Sequence, residues 1–269
     1  MANHTAKDRE TSSSRIDVEL QALIEDVLGD ESDHYGVVVK DTRTNTTASV
    51  NPDAIFYAAS LFKLPIMVEA FRQRELGLIS FDDEIFATWD DVLEDLGTFP
   101  GDVGDVYTVA DLLELMITIS DNTSAIMLLR TLGPGTIDET MSSLGLTTTS
   151  VLTEELPTTA VDMATLLEAI ERGQAVGAGA SREMVDLMLR QTWRSRIPQG
   201  VPEGVLVGNK TGDWWDAAHD VAIVYAPGGA YVIAILSDGE GSDATIVELS
   251  ERVYDYFQAC RGRNAPVRI

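Results

Sequence analysis

Residues 204–237 read GVLVGNKTGDWWDAAHDVAIVYAPGGAYVIAILS, and the reading of this stretch decides the fold. Apolar and β-branched runs at Gly204 to Lys210, Asp220 to Tyr225 and Tyr231 to Ser237 predict three successive strands, with Pro227-Gly228-Gly229 as a tight turn between the last two. Toward the N-terminus, Tyr35 to Lys40 and Thr47 to Val50 predict a hairpin across Asp41-Thr42-Arg43-Thr44-Asn45. Between these regions, from Ser60 to about Arg190, strand signals nearly vanish. Helical spacing there predicts helices over Leu61 to Glu75, Val109 to Ile119, Thr123 to Leu132, Ala160 to Glu171 and Ser181 to Gln191. Thr108 with Asp111 resembles a capping box at one of these starts. Ile16 to Leu28, stopped by Gly29, and Ile246 to Ala259 add a helix at each end. The predicted class is α/β: one antiparallel sheet built from both chain ends and flanked by helices, with an all-α lobe inserted. The expected division is a polar tail (1–15), one two-lobed unit (16–262) and a C-terminal tail (263–269). Within the unit, the α/β lobe takes 16–58 and 200–262, and the all-α lobe takes 59–199.

With 269 residues, 45% of them hydrophobic, the chain can bury one large core or two modest lobes. Its 44 acidic residues outnumber 19 basic ones, and a formal charge of −25 repels phosphate backbones and anionic lipid headgroups alike. Nucleic-acid and membrane partners are therefore not expected. Apolar runs fall far short of the roughly 20 residues that a spanning helix needs. Met1 to Arg15 is polar and lacks a secretory signal, so the chain reads as cytoplasmic or as having lost a leader. Cys260 is expected to be a buried structural thiol, and His219 to be structural. No His, Cys or carboxylate cluster has metal-ligand spacing, so neither metal nor cofactor is expected.

Only four lysines occur, at 7, 40, 63 and 210, so the place of each is informative. Ser60 and Lys63 stand three apart at a predicted helix start, where hydroxyl and amine share a face. A serine needs a base to become nucleophilic, and a desolvated or cation-flanked lysine can serve. A capping serine with an exposed lysine is the plainer alternative. Ser120-Asp121-Asn122 falls between two helices, where cap residues are expected anyway. Lys210-Thr211-Gly212 ends a strand, and its glycine would let a ligand approach the backbone closely. Composition predicts roughly 0.03 occurrences of each tripeptide, so their joint presence in order outweighs the plainer readings.

Ser60-x-x-Lys63, Ser120-Asp121-Asn122 and Lys210-Thr211-Gly212 together resemble the penicillin-recognising serine hydrolases, specifically the class A β-lactamases and their relatives. His219-Asp220-Val221-Ala222-Ile223-Val224 is similar to the family's next strand, and the resemblance spans about residues 16 to 260. It implies the two-lobed β-lactamase-like fold and an acyl-enzyme on Ser60, with Lys63 accepting its proton. Backbone N–H groups of Ser60 and Asp213 would hold the oxyanion. Ser120 would pass a proton to the leaving nitrogen, ordered by Lys210. Asn122 would bind the substrate's side-chain amide, and Thr211 beside Gly212, with Arg196, its carboxylate. Trp214 and Trp215 would wall the site, with one of them in the core. The implied partner is a small β-lactam or acyl-D-amino-acid substrate, the implied oligomeric state a monomer.

One departure stands out. Typical relatives place a glutamate and an asparagine for the deacylating water on a long loop between the second and third motifs. Here about a dozen residues separate Leu144-Gly145-Leu146 from Thr158-Thr159-Ala160. Glu154 and Glu155 lie among them, expected at the surface, and no asparagine follows. A D-alanyl-D-alanine peptidase or esterase, a related glutaminase, and a penicillin-binding sensor that acylates without turnover therefore stay open as alternatives.

Overall fold

In the computed structural model, which describes residues 15–91, 103–215, 217–239 and 241–263, a six-stranded sheet divides two apolar cores. The expected tails fall, at 1–14 and 264–269, outside the described residues. The sheet order is β1 (Arg15–Ile16), β3 (Thr46–Val50), β2 (Tyr35–Asp41), β10 (Gly229–Ser237), β9 (Ala217–Ala226) and β8 (Leu206–Trp214). Alternation places Val38, Val221, Ile223, Val232 and Ala234 on one face and Val37, Val39, Ala222, Val224 and Ile233 on the other. The second face is covered by α1 (Val18–Leu28) and α8 (Asp243–Arg263). The first face lies against the helical lobe. Both faces of β2, β9 and β10 are thus buried, which explains their near-continuous apolar runs.

The sheet is antiparallel except at its far edge, where β1 runs parallel to β3. That pairing corrects the predicted helix start: Arg15 and Ile16 belong to the sheet, and Asp17 caps α1 by accepting the Leu20 N–H at 3.1 Å. The last helix likewise starts three residues earlier than predicted, at Asp243.

The helical lobe is built around α2 (Lys63–Glu75), ten of whose thirteen residues are buried. Pro65 is tolerated there because the first turn needs no intrahelical donor. Around it pack α3 (Val109–Thr118), α4 (Asn122–Leu132), α5 (Pro134–Ser143) and α7 (Ala178–Leu189), while α6 (Ala160–Glu171) packs on β2, β9, β10 and α7. Thr108 and Asp111 form the expected capping box of α3. The lobe is not purely helical. Of two short antiparallel pairs, β5 (Glu84–Phe86) with β6 (Val106–Thr108) lies wholly in the span read as all-helical, and β4 (Phe56–Tyr57), just before that span, pairs with β7 (Pro157–Thr158) inside it. Pieces of two or three residues are too short to show a period of two.

His219 ties the sheet to the segment that enters the helical lobe. It is fully buried; Nδ1 accepts the Ser237 N–H at 3.1 Å, so Nε2 carries the proton and donates to the Tyr57 carbonyl at 2.8 Å. Burial, against a partly opposing hydrogen bond to Tyr57, pulls its pKa down to about 4. The unfolded chain therefore binds more protons between pH 4 and 6.5. The stability from this neutral imidazole is full above pH 6.5 and is lost as pH falls toward 4, on the order of 3 kcal/mol. Urea midpoints at pH 7 and 4.5 are expected to differ less in His219→Gln than in the parent; an unchanged difference would show that His219 does not govern this window.

Candidate active site

The segment Ala59–Phe62 forms a 3-10 turn leading into α2, and it packs against β8, the edge strand. The contact explains Gly212. A Cβ there would stand 3.0 Å from the Ala58 carbonyl oxygen and 3.1 Å from Leu61 Cγ, so the glycine admits the nucleophile turn itself. This corrects the expectation that a ligand makes the close approach. Ala59 and Ser120 both hold positive φ, 44° and 62°, a conformation that a side chain disfavours and that surrounding structure must enforce.

In this frame the three motifs converge. Lys63 and Lys210 are both fully buried. Lys63 Nζ lies 3.0 Å from Ser60 Oγ, 3.1 Å from Ser120 Oγ, and 2.6 Å from both the Ser120 carbonyl and Asn122 Oδ1. Burial first, and then the charge of Lys210, pull the Lys63 pKa down to about 6. A neutral amine has two N–H donors, which the Ser120 carbonyl and Asn122 Oδ1 take. Its lone pair then faces the Ser60 hydroxyl, the arrangement a general base needs. Lys210 Nζ sits 2.9 Å from Ser120 Oγ and donates to the Thr211 carbonyl at 2.8 Å; burial lowers its pKa to about 7, opposed by Asp220 and Asp213. Ser120 Oγ therefore lies between two amines and can pass a proton.

Asp121 is the helix cap: Oδ2 accepts the Ser124 N–H and the Ser124 hydroxyl, each at 2.6 Å. The capping reading of this tripeptide holds at Asp121, while Ser120 and Asn122 turn toward Lys63.

Ser60, Ser120, Asn122, Thr211, Asp213 and Arg196 line one cavity of about 450 Å³. Four further lining residues, Ile119, Trp193, Ser195 and Asp243, were not foreseen as such. No short-range pattern marks the last three, because they arrive by long-range packing. Buried Asp220 was missed as well. Its carboxyl, pushed up to about 7 by burial, accepts from Asn209 Nδ2 at 3.0 Å and from the Ile197 N–H at 2.9 Å, which anchors the segment carrying Arg196.

Arg196 is the main surprise. Expected to await a substrate carboxylate, it is already ion-paired with Asp213 and Asp243. Trp214 and Trp215 are 43% and 93% exposed, so neither joins the core. Cys260 is half-buried rather than buried. Glu154 and Glu155 are exposed and do not line the cavity. The loop residue that meets the nucleophile turn is half-buried Leu156, at φ 37°, whose carbonyl accepts the Ala58 N–H at 2.8 Å. Among the described residues no group of His, Cys and carboxylates could hold a metal.

Comparison with known proteins bears on these residues. A family model described as the beta-lactamase enzyme family matches residues 19–257. The β-lactamase AST-1 of Nocardia asteroides is 31% identical over 241 residues, covering 82% of this chain and 78% of its own. A variant of PBP-A, solved as its acyl-enzyme complex with penicillin G, superimposes with a TM-score of 0.86 at 26% identity, over 91% of this chain and 98% of that one. A variant of the class A β-lactamase of the last common ancestor of Gram-negative bacteria gives a TM-score of 0.81 at 28% identity, covering 88% and 98%.

Proposed function

This chain belongs to the beta-lactamase enzyme family and is a serine hydrolase acting on β-lactams, and we propose that it works through Ser60 with Lys63 as the base. The observation that carries the reading is the Lys63 amine: buried, its pKa lowered to about 6, and 3.0 Å from Ser60 Oγ. Ser60 Oγ bonds to the lactam carbonyl carbon as its proton passes to Lys63 Nζ. The N–H groups of Ser60 and Asp213 hold the oxyanion. As the C–N bond breaks, the nitrogen takes a proton from the Ser120 hydroxyl, which is resupplied from the amines on either side. Lys210 keeps the potential positive where negative charge develops. Asn122 binds the acyl side-chain amide. Thr211, beside Gly212, lines the end of the cavity where the substrate's carboxyl group would lie, and Arg196 is paired there with Asp213 and Asp243. With an α/β lobe of 16–58 and 200–262 and a helical lobe of 59–199, the proposed site lies at their junction.

The pH dependence tests the assignment. Lys63 must be neutral to accept a proton, so the second-order acylation rate is expected to rise with pH through about 6. Above about 7, loss of the Lys210 charge is expected to bend the profile down; the two limbs belong to the coupled pair rather than to either lysine alone. Stopped-flow acylation from pH 5 to 9 measures it. A rate still climbing toward pH 10 would mean that Lys63 stays charged and is not the base.

Acyl-D-amino-acid substrates form a second reading, favoured by one observation. The loop residue bonded to the turn that carries Ser60, Leu156, is apolar, and the neighbouring Glu154 and Glu155 do not line the cavity. A chromogenic cephalosporin compared with a D-Ala-D-Ala peptide, side by side, separates the two.

A further inference from the structure

The side chain of Arg196 is only 7% exposed, and every nitrogen of its guanidinium is engaged. Nε donates to Asp243 Oδ1 at 2.6 Å, Nη1 donates to the His219 carbonyl at 2.9 Å, and Nη2 donates to Asp213 Oδ1. A carboxylate ligand takes two adjacent guanidinium nitrogens in a fork. Here Asp243 and Asp213 share the Nε and Nη2 side, while His219 and Asp213 share the Nη1 and Nη2 end. Each fork thus already holds a partner, and Asp213 sits on the nitrogen that the two forks share. The two aspartates are themselves 60% and 54% exposed, and both line the cavity that contains Ser60. An arriving carboxylate therefore meets two negative groups around one positive group that they already neutralise.

We propose that Asp213 is a specificity-determining residue: its carboxylate occupies the place on Arg196 that a substrate carboxylate would take, and the enzyme prefers acyl donors uncharged at that position, esters or amides, over free acids. The inference rests on the acylation site proposed above. Discrimination by a repulsive group already in the pocket needs no contact with the favoured substrate. Burial of Arg196 reinforces it, because a guanidinium shut away from water is held to its partners and does not swing out to meet a ligand. The same residue would contribute its backbone N–H to the oxyanion, so a single strand position both supports the reaction and restricts what enters it.

The experiment compares benzylpenicillin with its methyl ester, scored by intact mass as second-order acylation rates on the full chain. Asp213→Asn and Asp213→Ala both keep the backbone N–H, and at an exposed position neither threatens the fold. The ratio of acid to ester rates is expected to rise about ten-fold or more in both variants. An unchanged or falling ratio would overturn the inference, since Asp213 would then be holding Arg196 ready for the carboxylate. If neither compound labels Ser60 in any variant, the proposed site falls and this inference with it.

Discussion

Brief exposure to benzylpenicillin is expected to raise the mass of the protein by one intact ligand, carried on Ser60 alone, and Ser60→Ala is expected to take no label. Lys63→Met should still label, but about 10²- to 10⁴-fold more slowly, the range over which a positioned base contributes. The geometry argues for the size of the effect. Lys63 Nζ is the amine in contact with Ser60 Oγ, whereas Lys210 reaches Ser120 Oγ. A methionine fills most of the same buried volume, so loss of rate without loss of fold separates chemistry from packing. Peptide mapping that places the label on another residue, or Lys63→Met acylating at the parent rate, would sink the assignment.

A second large effect concerns the fate of the acyl-enzyme. A chromogenic cephalosporin is expected to give a burst near one equivalent and then a slow steady state. Glu154 and Glu155 are exposed, and the carboxylate of Glu155 is held below its usual range by its own backbone N–H and by the Thr153 hydroxyl, which makes it a weak base. Replacing both by Gln should leave the slow phase unchanged. Leu156 is the loop residue in hydrogen-bond contact with the nucleophile turn. That contact is made by its backbone carbonyl, and its side chain packs against the core of the helical lobe, so this loop places no carboxylate in the cavity. A fast linear trace in the parent, abolished by the double Gln variant, would instead make one of the glutamates the deacylating base.

Legibility in the sequence followed the range of the interactions. Ser60, Lys63, Ser120, Asn122 and Lys210, which the structure brings together, could be singled out because short motifs mark them, and β9 and β10 because burial on both faces makes apolar runs. Helix α5 was missed: Gly133-Pro134-Gly135 has turn composition, but Pro134 stands at the first helical position, where its absent N–H is harmless. Only Ile137, Thr140 and Met141 of that helix are buried, too sparse a stripe to declare a period. The Arg196 pairs with Asp213 and Asp243 had no local signature at all. They depend on the register of β8 against β9 and on the seat of the turn Ile197–Gly200 against α8, where Gly200 lies so near the helix backbone that a side chain would collide with Val247 and Ser250.

The pairing of β2 with β10, Val38 opposite Ala234, ties together segments made far apart in translation. Closing so long a loop is entropically slow, and until β10 leaves the ribosome β2 has β3 on one edge and no neighbour on the other. The apolar residues Val37 to Val39 therefore spend synthesis beside an open strand edge, the condition in which chains associate with one another. The helical lobe can gather its core earlier, since α2 to α7 precede β8 in the chain. A nascent chain halted before residue 229 would hold Ser60 beside Lys63 but lack the strand that joins β9 and β8 to β2, leaving Lys210 unseated against Ser120. Competence to be acylated is thus acquired only once β10 has been made, and penicillin labelling of ribosome-bound chains would report when the sheet closes.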